Sequence, residues 1–383
     1  MNFTEHAGKA VLRAHGIPTP EGILARSPDE AEAAAKNIGA CVVKAQVPAG
    51  KRGKAGGIKL AATPEEAALH AGRILGMEIG GFAVEAVLID PQVAIAREFY
   101  AAVLNDPESK GPLLLFSAEG GMDIEEIAVQ RPHSLQRLPI DIRKGINAAA
   151  IYEHLDAPIS MDAEDPGYYP ELTQILAKLY AAYAASDAEL LEINPLVLTR
   201  DGRLLALDCK LTLDDSALPR RKELAATGSP DRLTSLETRA AALALKYIEL
   251  EGDVGVLANG AGLTMTTMDA IRHFGGRPAN FMEIGGESYT KAKPALEIVL
   301  SNNRVKCLLV NFCGAFARTD VMAEGVINAW IELAPRIPIF FTIHGTGEDE
   351  AIAMVRQRLN IEPYDLMDDA VKAAVESARG SGR

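Results

Sequence analysis

Glu192, Asn194 and Asp208 interrupt two otherwise apolar runs, LLEINPLVLT and RLLALDCKL, on either side of Asp201-Gly202. Residues two apart share one face of a strand, so Glu192 and Asn194 point the same way if the first run is extended. What faces them depends on the turn. A two-residue Asp-Gly loop pairs Asn194 with Cys209 and throws Asp208 to the opposite face. A three-residue loop, Arg200-Asp201-Gly202 with Gly202 left-handed, pairs Asn194 with Asp208 instead. An amide oxygen beside a carboxylate, completed by phosphate oxygens and waters, is a set that Mg²⁺ accepts in ATP-dependent chemistry. A metal site here therefore predicts the wider loop; the alternative is a surface hairpin with ordinary polar residues.

The second chemical stretch is KAQVPAGKRGKAGGIK at 44–59, with four lysines, one arginine, four glycines and no acid in a chain of net charge −13. It does not fit a Walker loop, because Gly53-Lys54 is followed by Ala55 rather than Ser or Thr. It does not fit the dinucleotide fingerprint either, which needs two glycines separated by one residue. What remains is strand, glycine-rich turn, strand. Alternation along CVVKAQV puts Lys44 and Gln46 on one face and Val43, Ala45 and Val47 on the other, so Lys44 projects from a sheet. An ammonium fixed beside a loop of backbone N–H groups suits a polyphosphate. A mobile basic loop with a solvated lysine is the other reading of this stretch taken alone.

The elements that position these residues can be read from pattern. A helix over Glu5 to His15 precedes a Pro-rich break and a Ser-Pro-Asp-Glu start that caps a second helix to about Asn37. Strand-like pieces follow: CVVKAQV, GIKL, FAVEAVLI, AREFYAAVL and GPLLLFSA, with a helix at Pro64 to Leu75 and another at Pro170 to Ser186. The first half thus reads as α+β with antiparallel hairpins. Residues 214–235 are polar and rich in turn formers and read as a linker. Beyond them VGVLA, VKCLLVNF and IPIFFTI are compact apolar runs, each followed by a Gly-containing turn and a helical stretch, the rhythm of a parallel sheet covered on both faces. The expected class is α/β, with a boundary at 235/236.

Composition narrows the function. A length of 383 residues with 48% apolar and 24% charged residues describes an ordinary globular chain of more than one domain. Its acidity argues against general nucleic-acid binding, which needs a broad basic face. Its apolar runs fall short of the ~20 residues of a membrane helix, and the N-terminus lacks a signal core. The expected location is cytoplasmic. Cys41, Cys209, Cys307 and Cys313 lack metal or redox spacing and read as small core residues. In GVLANGAGLTMTTMD a strand runs through a glycine turn into a helix, offering free N–H groups to an anion; Gly260 and Gly262 lack the third glycine of a dinucleotide site.

Taken together, VVKAQVPAGKRGKAGGIK, SAEGGMDIEEIA, LEINPLVLTRDGRLLALDCKL, NGAGLTMTTMD and GGRPANF resemble the β subunits of succinate–CoA ligase and its sister acid–CoA ligases, including the malate enzymes, over nearly the whole chain. The resemblance implies an ATP-grasp fold for residues 1–235, with a clamp subdomain at about 20–100, and a flavodoxin-like CoA-ligase domain for 236–383. It implies that Lys44, Lys51, Arg52 and Gly53 hold phosphates while Glu85, Leu88 and Glu98 line the adenosine side. Asn194 and Asp208 would bind Mg²⁺, and Glu192 would meet a phosphorylated histidine on a separate α subunit, which also carries most of the CoA site. Asn259, Ala315, Phe316 and Ala317 would touch the carboxylic acid. Pro20 matches the ATP-preferring members.

The departures fall on the acid side. Succinate enzymes usually show Asp-Val-Gly-Gly-Gly-Ala where this chain has Glu283-Ile284-Gly285-Gly286-Glu287-Ser288, Gly-Ile-Val where it has Ala315-Phe316-Ala317, and Arg-Leu-x-Gly where it has Thr342-Ile343-His344-Gly345. A buried Phe316 is expected to reshape the acid pocket, and a lost arginine removes a bidentate carboxylate partner. Succinate is the first expectation, with malate or another substituted dicarboxylate second. An ATP-grasp carboxylate–amine ligase, or a non-catalytic subunit, are the rival classes. The interval from Glu85 to Glu98 is also several residues longer than the family's.

Overall fold

The computed structural model describes residues 1–121, 131–159, 166–230, 232–285 and 290–380. The chain divides into two compact units, Met1–Asp231 and Arg232–Arg383. Met122 to Ala128 of the quoted SAEGGMDIEEIA stretch, and Gly286 to Ser288, lie outside the described residues.

The first unit holds two antiparallel sheets. One comprises β1 (Ile23–Ala25), β2 (Cys41–Ala45), β3 (Ile58–Ala61) and β6 (Val87–Pro91) in the order β1-β6-β2-β3. A short hairpin, β4 (Glu78–Ile79) with β5 (Phe82–Ala83), stands apart. FAVEAVLI is therefore two strands, because Val84 to Ala86 leave the ladder. On β2 the expected alternation holds: Val43 and Ala45 are fully buried with Ala31, Ala35, Ala67 and Ala71 of helices Pro28–Ile38 and Pro64–Ile74. Each of these helices has Pro at its first turn and a Ser27 or Thr63 side chain accepting from the backbone three residues on, which fixes where it starts. Lys44 and Leu88, paired in register, occupy the other face.

The second sheet runs β11-β10-β7-β8-β9, from β7 (Ile95–Asp106), β8 (Gly111–Ser117), β9 (Leu135–Pro139), β10 (Ala188–Thr199) and β11 (Leu204–Ala206); β12 (Lys210–Leu213) also pairs with β10. Leu191, Ile193 and Leu196 of β10 pack against Leu172, Ile175, Leu176 and Leu179 of helix Tyr169–Ser186, forming the main core of the unit. That leaves Glu192 on the sheet's opposite face, where burial and then the Glu192 carboxylate push the Tyr100 phenol upward. The polar stretch 214–235 is not a free linker. Asp215–Arg220 and Lys222–Ala225 form helical turns, Ser229 exchanges backbone hydrogen bonds with Asn2, and the N-terminal ammonium pairs with Asp215 at 2.6 Å.

In the second unit β14 (Val254–Ala258), β16 (Cys307–Gly314) and β17 (Ile339–Gly345) are parallel neighbours in that order. Strand β13 (Tyr247–Glu249) pairs antiparallel with β15 (Asn280–Met282). Parallel bridges Val254 to Pro278 and Ala258 to Glu283 set β15 beside β14, and Thr342 to Tyr364 adds an edge beyond β17. Counted from β14, the order is 2-1-3-4-5, that of flavodoxin-like sheets. Helices Ala261–His273 and Met367–Gly380 pack on one face, Ala292–Ser301 and Thr319–Leu333 on the other. Among the described residues no helix is long and apolar enough to cross a membrane.

Candidate functional site

The hairpin carries the wider loop. Leu196 pairs with Ala206 and Leu198 with Leu204, leaving Arg200-Asp201-Gly202 as the turn, with Gly202 at φ +83°. On the other side of Asp208 the same register resumes, Glu192 opposite Lys210 and Leu191 opposite Leu211, so Asn194 and Asp208 face each other across the ladder. Ile193 pairs with Ala101 and Leu196 with Phe99, so Asn194 and Pro195 together oppose Tyr100. This bulge lifts Asn194 toward Gly121, whose N–H donates to Asn194 Oδ1 at 2.9 Å.

Around this pair lies a cavity of about 360 Å³ lined by Gly50, Lys51, Arg52, Gly53 and Lys54 of the basic loop and by Glu192, Asn194, Asp208 and Lys210 of the hairpin. Its base is a buried ionic network. Lys44 Nζ donates to Glu5 Oε1, Asp90 Oδ2 and the Leu207 carbonyl, each at 2.8 Å. Lys9 Nζ reaches the same two carboxylates at 2.6 and 2.5 Å. Arg52 donates to the Ala45 carbonyl, pairs with Glu5 Oε2 at 3.0 Å, and sets one nitrogen astride both Asp208 oxygens at 2.7 and 2.6 Å. Three cations thus balance three carboxylates. Burial raises the Glu5 carboxyl, but Lys44, Lys9 and Arg52 together outweigh it and hold Glu5 well below the usual range. Lys44 and Arg52 are correspondingly raised: burial works against them, and Glu5 and Asp208, with Asp90 also acting on Lys44, prevail. The solvated-lysine reading fails, since Lys44 is only 8% exposed.

Lys51, Arg52, Gly53, Glu192, Asn194 and Asp208 are brought together, with Lys44 beneath them. Glu85, Leu88 and Glu98 do not line the cavity. Glu85 is exposed ahead of β6, and Leu88 is buried on the Lys44 face. Glu98 sits behind Gly121, where an added Cβ would fall 2.0 Å from Glu98 Oε2. The acid that reaches the network from β6 is Asp90, which the sequence reading did not single out. Glu5, Lys9 and Lys210 were also missed. An i,i+4 pair such as Glu5 and Lys9 normally signals a solvated helix face, and only its partners on β2 and β6 make it internal.

Asn194 and Asp208 suit a hard cation: one amide oxygen and one carboxylate, facing each other over a cavity. Among the described residues no group of three or more His, Cys, Asp or Glu side chains could cage a metal.

In the second unit the switch point between β14 and β16 is closed by Asn259, whose Nδ2 donates to the Cys313 carbonyl and whose Oδ1 accepts from the Cys313 N–H, both at 2.8 Å. Beside it begin helix Ala261–His273 and the turn Ala315-Phe316-Ala317, pinned by Thr346 Oγ1 donating to the Ala315 carbonyl at 2.8 Å. Two expectations are corrected. Phe316 is wholly exposed rather than buried, because β16 leaves the core after Phe312. Cys313 is exposed for the same reason, whereas the other three cysteines are buried. His344 is half-buried, its Nε2 2.6 Å from the Asp365 carbonyl and its Nδ1 3.4 Å from Glu348, which anchors the end of β17.

Residues 2–198 match the ATP-grasp domain and residues 257–375 the CoA-ligase domain. The chain is 42% identical over 386 residues to the succinate–CoA ligase [ADP-forming] subunit beta of Rubrobacter xylanophilus, with 100% of both chains covered. It is 40% identical over 383 residues to the GDP-forming subunit beta of Thermus thermophilus, again with 100% of each covered. Among solved structures, ATP citrate lyase from Methanothrix soehngenii in complex with citrate and coenzyme A superimposes with a TM-score of 0.64 at 22% identity, covering 98% of this chain and 99% of that one, a likeness of fold.

Proposed function

The chain belongs to the succinate–CoA ligase β-subunit family, and from that premise we propose that it binds ATP in the first unit and a carboxylic acid, succinate first, at the second. The observation that carries the reading is the convergence of the basic loop with Glu192, Asn194 and Asp208 on one cavity. In this proposal the γ-phosphoryl group of ATP passes to a histidine of a partner α subunit, leaving ADP. The histidine then gives it to the carboxylate, forming an acyl phosphate, and the CoA thiol displaces phosphate to form the thioester. Each step transfers a group that is already activated.

The residues divide the work. Lys51, Arg52 and the N–H groups of Gly50 and Gly53 hold phosphates. Arg52 exchanges Asp208 for a phosphate oxygen when nucleotide enters, which leaves the Asp208 carboxylate open. Asn194 and Asp208 would hold Mg²⁺, which when bound supplies charge neutralisation at the phosphates. Lys44, held by Glu5, Asp90 and the Leu207 carbonyl, ties helix Glu5–Ala14, β2 and the hairpin together beneath the loop. Glu192 orients the incoming imidazole. In the second unit the free N–H groups of helix Ala261–His273 offset phosphate charge, and the turn Ala315–Ala317 meets the acid. Co-expression with the partner subunit, followed by ADP and acyl-CoA formation across succinate, malate and related acids, tests this. ADP and succinyl-CoA are expected together; absence of ADP formation with every acid would overturn the reading.

A further inference from the structure

Four groups form a block on the hairpin. Asn194 faces Asp208, and two residues along the same strands Glu192 faces Lys210, with all four lining the cavity. Directly opposed side chains leave one face of the sheet together with Cβ atoms about 5 Å apart, and two residues along a strand advance about 6–7 Å. The Glu192–Lys210 pair therefore stands about one phosphate diameter from the Asn194–Asp208 pair.

Lys210 differs from the other cations of the site. Lys44 and Arg52 are neutralised by Glu5, Asp90 and Asp208. Lys51 and Lys54 ride on the loop between β2 and β3. Lys210 is on a strand, is exposed, and among the described residues has no ion pair or side-chain hydrogen bond. A lysine so placed, directly opposite a carboxylate that it does not bind, has its ammonium available to a ligand.

We propose that Lys210 is a catalytic residue of the phosphoryl transfer, its ammonium contacting the equatorial oxygens of the phosphoryl group as that group moves from the Asn194–Asp208 pair toward Glu192. The inference rests on the reading of this cavity as the transfer site. In the step, the bond from phosphorus to the bridging oxygen breaks and its electron pair stays on ADP. A bond from phosphorus to the imidazole nitrogen forms, and Lys210 donates hydrogen bonds without giving up a proton. Charge in such a transition state is spread over the three equatorial oxygens, so a cation held on a rigid strand stabilises it without reorganising. Arg52 must first release Asp208; Lys210 has no partner to release.

The test is single-turnover transfer of labelled γ-phosphate from Mg-ATP to the partner subunit in the reconstituted complex, for wild type, Lys210→Met, Lys210→Arg and Asp208→Ala, with Mg-ADP affinity measured for each. Lys210→Met is expected to slow transfer about 100-fold, the usual effect of losing one preorganised donor, with ADP affinity changed less than threefold. Lys210→Arg should restore at least a tenth of the rate. Transfer by Lys210→Met within threefold of wild type, while Asp208→Ala transfers nothing, overturns the role of Lys210 and leaves the site reading intact. A loss of ADP affinity as large as the loss of rate also overturns it, making Lys210 a nucleotide-binding group only. Wild-type transfer by Asp208→Ala removes the site reading itself.

Discussion

Glu5→Gln should destabilise the first unit by about 3 kcal/mol without touching the second. Glu5 is 2% exposed and meets Lys9 at 2.6 Å, Lys44 at 2.8 Å and Arg52 at 3.0 Å. Neutralising it leaves three buried cations facing only Asp90 and Asp208. Removing one member of such a network costs about 3–5 kcal/mol. The lower end applies because Lys9 and Lys44 keep Asp90, Arg52 keeps Asp208, and glutamine retains one acceptor oxygen. The assay exploits the single tryptophan, Trp330, which lies in helix Thr319–Leu333 of the second unit. Urea unfolding followed by circular dichroism should show an early transition shifted by that amount, while the Trp330 fluorescence transition stays in place. The pH dependence has a definite sign. Glu5 is depressed below its ordinary 4.5, so its contribution is full above that value and is lost as pH falls below it toward the folded-state pKa. The variant should therefore show a flatter acid limb. A shift under 1 kcal/mol, or an equal shift in the Trp330 transition, would refute the network as the base of the first unit.

Three further outcomes are expected. Gly121→Ala, which puts a methyl 2.0 Å from Glu98 Oε2 at a residue with φ +71°, should displace the N–H that holds Asn194 and raise the Mg²⁺ requirement for transfer at least tenfold; an unchanged Mg²⁺ titration would detach Asn194 from the metal. Asn259→Ala strips two hydrogen bonds from the Cys313 backbone and should cost the second unit about 1 kcal/mol, read by Trp330 fluorescence, with a raised KM for the acid; an unmoved KM argues against an acid site at the switch point. Phe316→Ala should change the stability of the chain by less than about 0.5 kcal/mol, since its ring is wholly exposed, yet alter the KM and selectivity for acids in the assembled enzyme; identical selectivity would remove Phe316 from the acid site.

Much of the site was legible because strand alternation and turn length are local. Lys44 opposite the Val43 and Ala45 face needed only a period of two. The pairing of Asn194 with Asp208 needed only a glycine able to take φ +83° at the third turn position. The parallel second half was likewise readable, because strands buried on both faces become short continuous apolar runs. What failed depended on distant partners. Lys9 was not singled out, since nothing near it in sequence says that Asp90, 81 positions away, turns it inward. Asp90 escaped notice for the same reason: only the ladder of β6 with β2, which starts at Val87, brings it to the ammonium groups. Phe316 was expected to be buried at an acid pocket, but β16 ends at Gly314 and the turn beyond it carries the ring into the open.

In the proposed function this chain directs the γ-phosphate of ATP onto a histidine of its partner. The most direct measurement is labelling of the reconstituted pair with γ-labelled Mg-ATP in the absence of acid and CoA. Base-stable, acid-labile label is expected on the partner subunit, discharged by succinate with CoA, and none with Asp208→Ala. An unlabelled partner, or equal labelling with Asp208→Ala, would contradict it.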